Sequence, residues 1–305
     1  MKLTNLKALA TASALALTAA APLQADESSL EYTNEIAPGV YSYSSGGGYH
    51  SMFMVTDGGV AVFETVNSAH GEKMIEAIRG ITDQPIEYAM HSHNHWDHAS
   101  GGGVFQAVGA ETVAHDLAAQ YLAAVPGQDT STVDIVWDGN RHDIEIGGVT
   151  VQLHYLGLNH GLGMTVFVIP EKRVAYIADL VTPDRVGFNI MPDFNIGEWE
   201  RSLGEILELD FDVAVCSHTA LPAEEAINGC TKTHVEEERQ FLLDLRGAIF
   251  AGFQNGTPAD QIPGSVELPQ YAEWEGYDEW LEMNAWRVML DIWMGPYPWV
   301  PGASQ

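Results

Sequence analysis

The chain has 305 residues, 46% of them hydrophobic, which is ample material for a sizeable buried core and excludes a disordered acidic tail. Its 13 Lys and Arg face 42 Asp and Glu, for a formal charge of −29. A surface of that sign repels phosphate backbones and anionic lipid, which disfavours nucleic acid as a partner.

The first 25 residues carry Lys2 and Lys7 and no acid, followed by an apolar Ala/Leu run from Ala8 to Ala21 and a small residue, Ala25, ahead of Asp26. This pattern predicts a secretory signal over 1–25. The run is too short for the roughly 20 residues of a spanning helix. No later segment is long enough to span, so the expected product is exported, with a bacterial periplasm as its compartment.

Residues 26–35 read as a polar lead-in, and 40–65 as a meander of strands separated by Gly-rich turns. Helical spacing over His70–Arg79 places Met74, Ile75 and Ile78 on one side, and 86–92 returns to a strand. A helix is predicted over Ala114–Ala123, then a loop with Pro126 and Gly127, then strand-like runs at 142–148, 149–157 and 163–170. A buried strand at 173–179, a helix at 199–209 and a strand at 211–217 follow. Beta-rich halves with interspersed helices predict a layered α/β sandwich, with a catalytic domain over 26–230.

From about Thr231 the pattern changes to helices without strands, at 234–253 and 277–294, and five of the eight Trp fall between Trp274 and Trp299. The expectation is a helical extension over 231–305 that docks its Trp-rich face on the core, rather than an aromatic lid. Cys216 and Cys230 are the only cysteines. In an oxidising compartment they can pair; alternatively Cys216, which ends the apolar run FDVAVC, is a core thiol.

The chemistry concentrates in MHSHNHWDHASGGG, residues 90–103, where H-x-H-x-D-H is spelled by His93, His95, Asp97 and His98. Leaving the end of a strand at i and i+2, His93 and His95 point to the same side and reach one cation. Asp97 and His98 reach a second beside it, and Gly101 to Gly103 allow close backbone packing behind the site. His160, Asp179 and His218 each follow a predicted strand. Imidazole and carboxylate ligands without thiolate suit zinc, with iron, manganese or cobalt also accepted by ligand type.

Over roughly residues 38–220 these motifs resemble the metallo-β-lactamase superfamily. The resemblance implies a four-layer αβ/βα sandwich with two metal ions at one edge. It assigns His93, His95 and His160 to the first ion, Asp97, His98 and His218 to the second, and Asp179 to both, with a bridging hydroxide as nucleophile. Asp97 would orient that nucleophile and take its proton. His95 stands where flavodiiron relatives carry Glu, and the seven ligands exceed those of the mono-iron persulfide dioxygenases. Asp179 stands where β-lactamases of this superfamily carry Cys or Ser. Lactonases of homoserine lactones carry Tyr at the position of Thr182, and the basic glutathione-holding residues of glyoxalase II thioesterases have no counterpart in the acidic C-terminal region.

Glu64 occupies a position expected to support the ligands. His91 reads as packing behind them, and His50 and His70 as pocket-lining or polar loop residues. His115, His142, His154 and His234 lack motif context. Phe188, Ile190, Met191 and Phe194, in the segment after Asp179, form either a hydrophobic wall of the substrate site or a contact with the C-terminal helices. The expected function is hydrolysis of a carbonyl-type bond in a small apolar or aromatic ester or lactone. The alternative is a periplasmic β-lactamase.

Overall fold

Glycine-punctuated hydrophobic runs at the N-terminal end form four antiparallel strands in the computed structural model, which describes residues 31–297. The segment read as a signal, 1–25, and Trp299 lie outside those residues. The strands are β1 (Glu31–Ala37), β2 (Val40–Ser45), β3 (Ser51–Thr56) and β4 (Gly59–Phe63). β1 replaces the second half of the expected polar lead-in. It is an edge strand whose polar residues alternate outward, so its composition concealed it.

Helix α1 (Ser68–Arg79), capped by the Asn67 side chain accepting from the His70 amide, crosses over to β5 (Ile86–Met90), which lies parallel to β4. The short helices α2 (Trp96–Ala99) and α3 (Gly102–Ala107) lead to β6 (Glu111–His115), α4 (Asp116–Ala124) and β7 (Ile135–Trp137). The helix expected from Ala114 begins at Asp116. Ala114 and His115 complete a buried strand, and the His115 ring accepts the Leu117 amide as the helix cap. β6 and β7 were not anticipated; they finish a seven-stranded sheet in the order β1 to β7.

The second sheet contains β8 (Arg141–Ile146), β9 (Val149–Tyr155), β10 (Thr165–Ile169), β11 (Val174–Ile177) and β12 (Val213–Cys216). Helix α5 (Ile196–Glu208) crosses between the parallel strands β11 and β12. Period-two alternation divides β3: Met52 and Met54 face the second sheet's Leu153 and Phe167, while Phe53 packs outward with Met74 and Ile78 of α1. Trp199 and Leu203 of α5 cover the other side. Helix, sheet, sheet and helix make the expected four-layer sandwich.

After α6 (Ala223–Ala226), the long helices α7 (Lys232–Gln254) and α8 (Tyr277–Met294) bury Leu242, Leu245, Val288 and Met289 in that same core. Trp274, Trp280 and Trp286 pack against it, whereas Trp293 is 51% exposed, so most of the described tryptophans dock rather than cover a pocket. Cys216 and Cys230 form a disulfide joining the end of β12 to the approach to α7. No helix among the described residues is long and apolar enough to cross a membrane.

Candidate metal centre

Strand direction gathers the chemistry at one edge. β9 and β11 are each antiparallel to β10, and β12 is parallel to β11, so all three end on the same side, where His160, Asp179 and His218 follow. The end of β5 meets them there through the Thr165 amide, which donates to the Ser92 carbonyl at 2.8 Å. His93, His95, His160 and Asp179 each offer a ligand atom within 4.8 Å of the others, and Asp97, His98 and His218 form a second such group.

Asp179 lies between the groups. Its Oδ2 is 3.0 Å from His160 Nε2 and 3.5 Å from His93 Nε2, while its Oδ1 is 3.3 Å from His98 Nε2 and 3.4 Å from His218 Nε2. The opposite nitrogens are held from behind. His93 Nδ1 is 2.8 Å from Ser92 Oγ, His98 Nδ1 is 3.2 Å from Glu64 Oε2, and His218 Nδ1 is 3.0 Å from the Gly48 carbonyl. Each such contact fixes a ring and leaves its other nitrogen facing inward. Glu64 therefore sits behind the cluster, where the sequence placed it, although it also forms a ligand-like grouping with His93 and His98.

Burial and neighbouring charges shift the groups of the cluster in opposite directions. Burial lowers the pKa of His160, but the hydrogen bond to Asp179 and the carboxylate of Asp193 beside it more than reverse this and raise it to about 9. Burial opposes ionisation of Asp179, yet His98, His160 and His218 hold its carboxyl well below the ordinary range. His218 is lowered to about 4, mainly by burial. The residues fit a divalent cation: the Nε2 atoms of His93 and His98 are buried with no hydrogen-bond partner, in a set of imidazoles and carboxylates converging on shared points.

A cavity of about 280 Å³ opens on this cluster, with His95, Asp97, His160, Asp179 and His218 at its base. Phe188 and Phe194 line it, whereas Ile190 is 43% exposed outside it and Met191 is fully buried beneath the loop. Tyr49, Arg185, Asp193 and Trp199 also line it and were not read from the sequence as site residues. Tyr49 donates to Asp97 Oδ2 at 3.0 Å. The only acidic residue between Phe188 and Ile196 is Asp193, and that isolation in an apolar stretch was the available signal. His50 and His70 are buried away from the cavity, bonded to Tyr32 and to Ser45 and Ser51, and His91 packs behind the ligands on Thr65.

The fold and this cluster define an α/β-sandwich protein of the metallohydrolase class. The model of the metallo-beta-lactamase superfamily matches residues 45–218, more than half of the chain, and the chain belongs to that superfamily. Among curated proteins it is 31% identical over 135 residues to the 2,4-dinitroanisole O-demethylase subunit alpha of Nocardioides sp. (strain JS1661), covering 44% of this chain and 41% of that one. The chain thus matches about two fifths of that relative's length. Among solved structures it resembles a metallo-beta-lactamase from Pontibacter korlensis, with a TM-score of 0.58, 17% identity, and 70% of this chain and 98% of that one covered. It also resembles the stereoselective inverting sec-alkylsulfatase Pisa1 from Pseudomonas sp., with a TM-score of 0.65, 14% identity, and 90% and 52% covered. At such identities the structural likenesses concern the fold.

Proposed function

We propose that the protein is an exported, binuclear metal-dependent hydrolase that cleaves a carbonyl-type bond, an ester or lactone, in a small apolar or aromatic substrate. The observation that carries this reading is the division of the Asp179 carboxylate, one oxygen toward His93 and His160 and the other toward His98 and His218. His93, His95 and His160 would hold one ion, Asp97, His98 and His218 the second, and Asp179 both. Zinc is the ion best matched to this donor set, which iron, manganese or cobalt also suit. Such ions supply Lewis acidity and lower the pKa of water toward neutrality.

The chain's own residues do the rest. Asp97, at the cavity base with its side chain 55% exposed, is placed to accept the proton of the attacking water, and Tyr49 fixes its orientation. Phe188, Phe194 and Trp199 form an apolar wall that orients the substrate and excludes bulk water. Water adds to the carbonyl carbon and the bond to the leaving oxygen breaks, giving acid and alcohol, or hydroxy acid from a lactone. Export is supported by the N-terminal pattern and by the Cys216–Cys230 disulfide, which persists in oxidising compartments.

The test is hydrolysis by the metal-loaded chain from Asp26 onward of an aromatic carboxylic ester and a chromogenic cephalosporin, each with and without chelator. 2,4-Dinitroanisole makes a third arm, since the curated relative is named for it. Chelator-sensitive ester cleavage is expected. Efficient cephalosporin opening would favour the β-lactamase alternative, and absence of turnover in every arm would contradict the hydrolase reading for these bonds.

A further inference from the structure

One carboxylate touches histidines from both sheets. Asp193 Oδ2 lies 2.6 Å from Nε2 of His95, which follows β5, and Oδ1 lies 3.2 Å from Nδ1 of His160, which follows β9. The second is an ion-pair contact outside hydrogen-bond geometry, and neither His160 Nδ1 nor Asp193 Oδ1 has a hydrogen-bond partner. Each contact takes up one ring nitrogen. His160 keeps Nε2 toward Asp179, and His95 is left with Nδ1. The ring of Phe194 stacks on His160 with centroids 3.8 Å apart, so two consecutive residues fix that imidazole.

The loop carrying Asp193 has little regular structure, and Asn189 and Met191 take left-handed φ of 52° and 46°, a conformation asparagine adopts readily but methionine keeps only under external constraint. Helix α8 supplies the constraint. Asn284 donates to the carbonyls of Gly187 and Asn189 at 2.8 and 2.7 Å. Arg287 donates to the carbonyl of Met191 at 3.1 Å and to that of Phe194, bracketing Asp193 on both sides. Both side chains are at most 1% exposed. Burying an arginine is costly unless its N–H groups are satisfied, and here they donate to this loop and to Asp291, among other contacts.

We propose that Asp193 is a positioning residue for the first metal ion, fixing the rings of His95 and His160 so that both present a nitrogen to the same point, and that α8, through Asn284 and Arg287, is the part of the fold that holds it there. This rests on the reading of those two histidines as ligands. Loss of an outer-shell partner of this kind weakens metal binding roughly 10–100-fold.

The experiment is zinc competition against a chromogenic chelator, with the absorption spectrum of the cobalt-loaded protein, on the full chain from Asp26 onward. Asp193→Ala is expected to lose roughly 10–100-fold in affinity for one ion, with altered cobalt bands, and to leave the other within about threefold. Asp193→Asn keeps the volume but offers one acceptor oxygen for two imidazoles, so it should fall between the wild type and Asp193→Ala; it also decides the matter if the alanine variant does not fold. Arg287→Met is expected to shift affinity in the same direction by less. Wild-type affinity and cobalt spectrum in both Asp193 variants would overturn the inference while leaving the hydrolase reading intact. A wild-type chain that binds neither zinc nor cobalt would overturn both.

Discussion

Glu238, in the second turn of α7, accepts hydrogen bonds from the amide and the hydroxyl of Thr182 at 3.1 and 3.3 Å, joining the C-terminal helices to the loop three residues past Asp179. Its carboxyl is 1% exposed. Burial pushes its pKa up to about 8, against the opposing effects of the Thr182 hydrogen bonds and the Arg185 charge. Because the folded value lies above the unfolded one, the native state binds this proton more tightly. The stabilisation is complete below the ordinary carboxylate range and is lost as pH rises through about 8. Glu238→Gln should match the wild type near pH 4 and exceed it at pH 8 by on the order of 4 kcal/mol, read from denaturant unfolding at both pH values. Parallel pH dependences would show that Glu238 does not titrate in this way.

Asp97 is the ligand candidate most open to the cavity, so its removal separates chemistry from folding. Asp97→Ala is expected to reduce turnover by at least roughly 100-fold while unfolding stability changes by less than about 1 kcal/mol. Tyr49→Phe, which removes only the hydroxyl that orients Asp97, should cost roughly tenfold in kcat. Activity within a few-fold of wild type in Asp97→Ala would refute the role given to this carboxylate.

The glycines behind the motif are not equivalent. Gly101 has φ of +77°, and a Cβ there would lie 2.4 Å from the carbonyl carbon of Asn67, the residue that caps α1. Gly103 lies within α3 and a Cβ would meet nothing within 4 Å. Gly101→Ala should therefore destabilise by about 2 kcal/mol or more, and Gly103→Ala should be neutral or stabilise by up to about 1 kcal/mol. Thermal unfolding of the two variants side by side checks the contrast.

The Cys216–Cys230 bond closes a loop with a sequence separation of 14, immediately ahead of α7. Chain-entropy arguments give such a crosslink about 3 kcal/mol. Reductant should lower the thermal midpoint of the wild type, and the double variant Cys216→Ser, Cys230→Ser should melt at the reduced midpoint whether or not reductant is present. A wild-type midpoint indifferent to full reduction would contradict a stabilising role.

Much of the cluster was legible because its information is local. His93, His95, Asp97 and His98 sit in one contiguous segment, and His160, Asp179 and His218 each follow an apolar run that reads as a strand, so periodicity and motif spacing converge on one edge. Asp193 was not legible in that way. Its position depends on two sheets meeting and on Arg287, 96 residues beyond the Met191 carbonyl it holds. Strands β6 and β7 escaped for a related reason, since ETVAH and IVW are too short to show a period and gain their strand character from the neighbours that flank them. The wall predicted from Phe188, Ile190, Met191 and Phe194 was divided by the loop's positive-φ turns, which send Met191 inward and Ile190 out to solvent.

In the proposed function, two bound ions make this histidine and aspartate cluster a hydrolytic site. The most direct measurement strips the chain from Asp26 onward of metal, adds zinc in measured steps, and follows bound metal and aromatic ester hydrolysis on the same samples. No activity is expected without metal, followed by a rise that saturates as the second ion binds. Hydrolysis by the metal-free protein, or binding of zinc that leaves the rate unchanged, would contradict it.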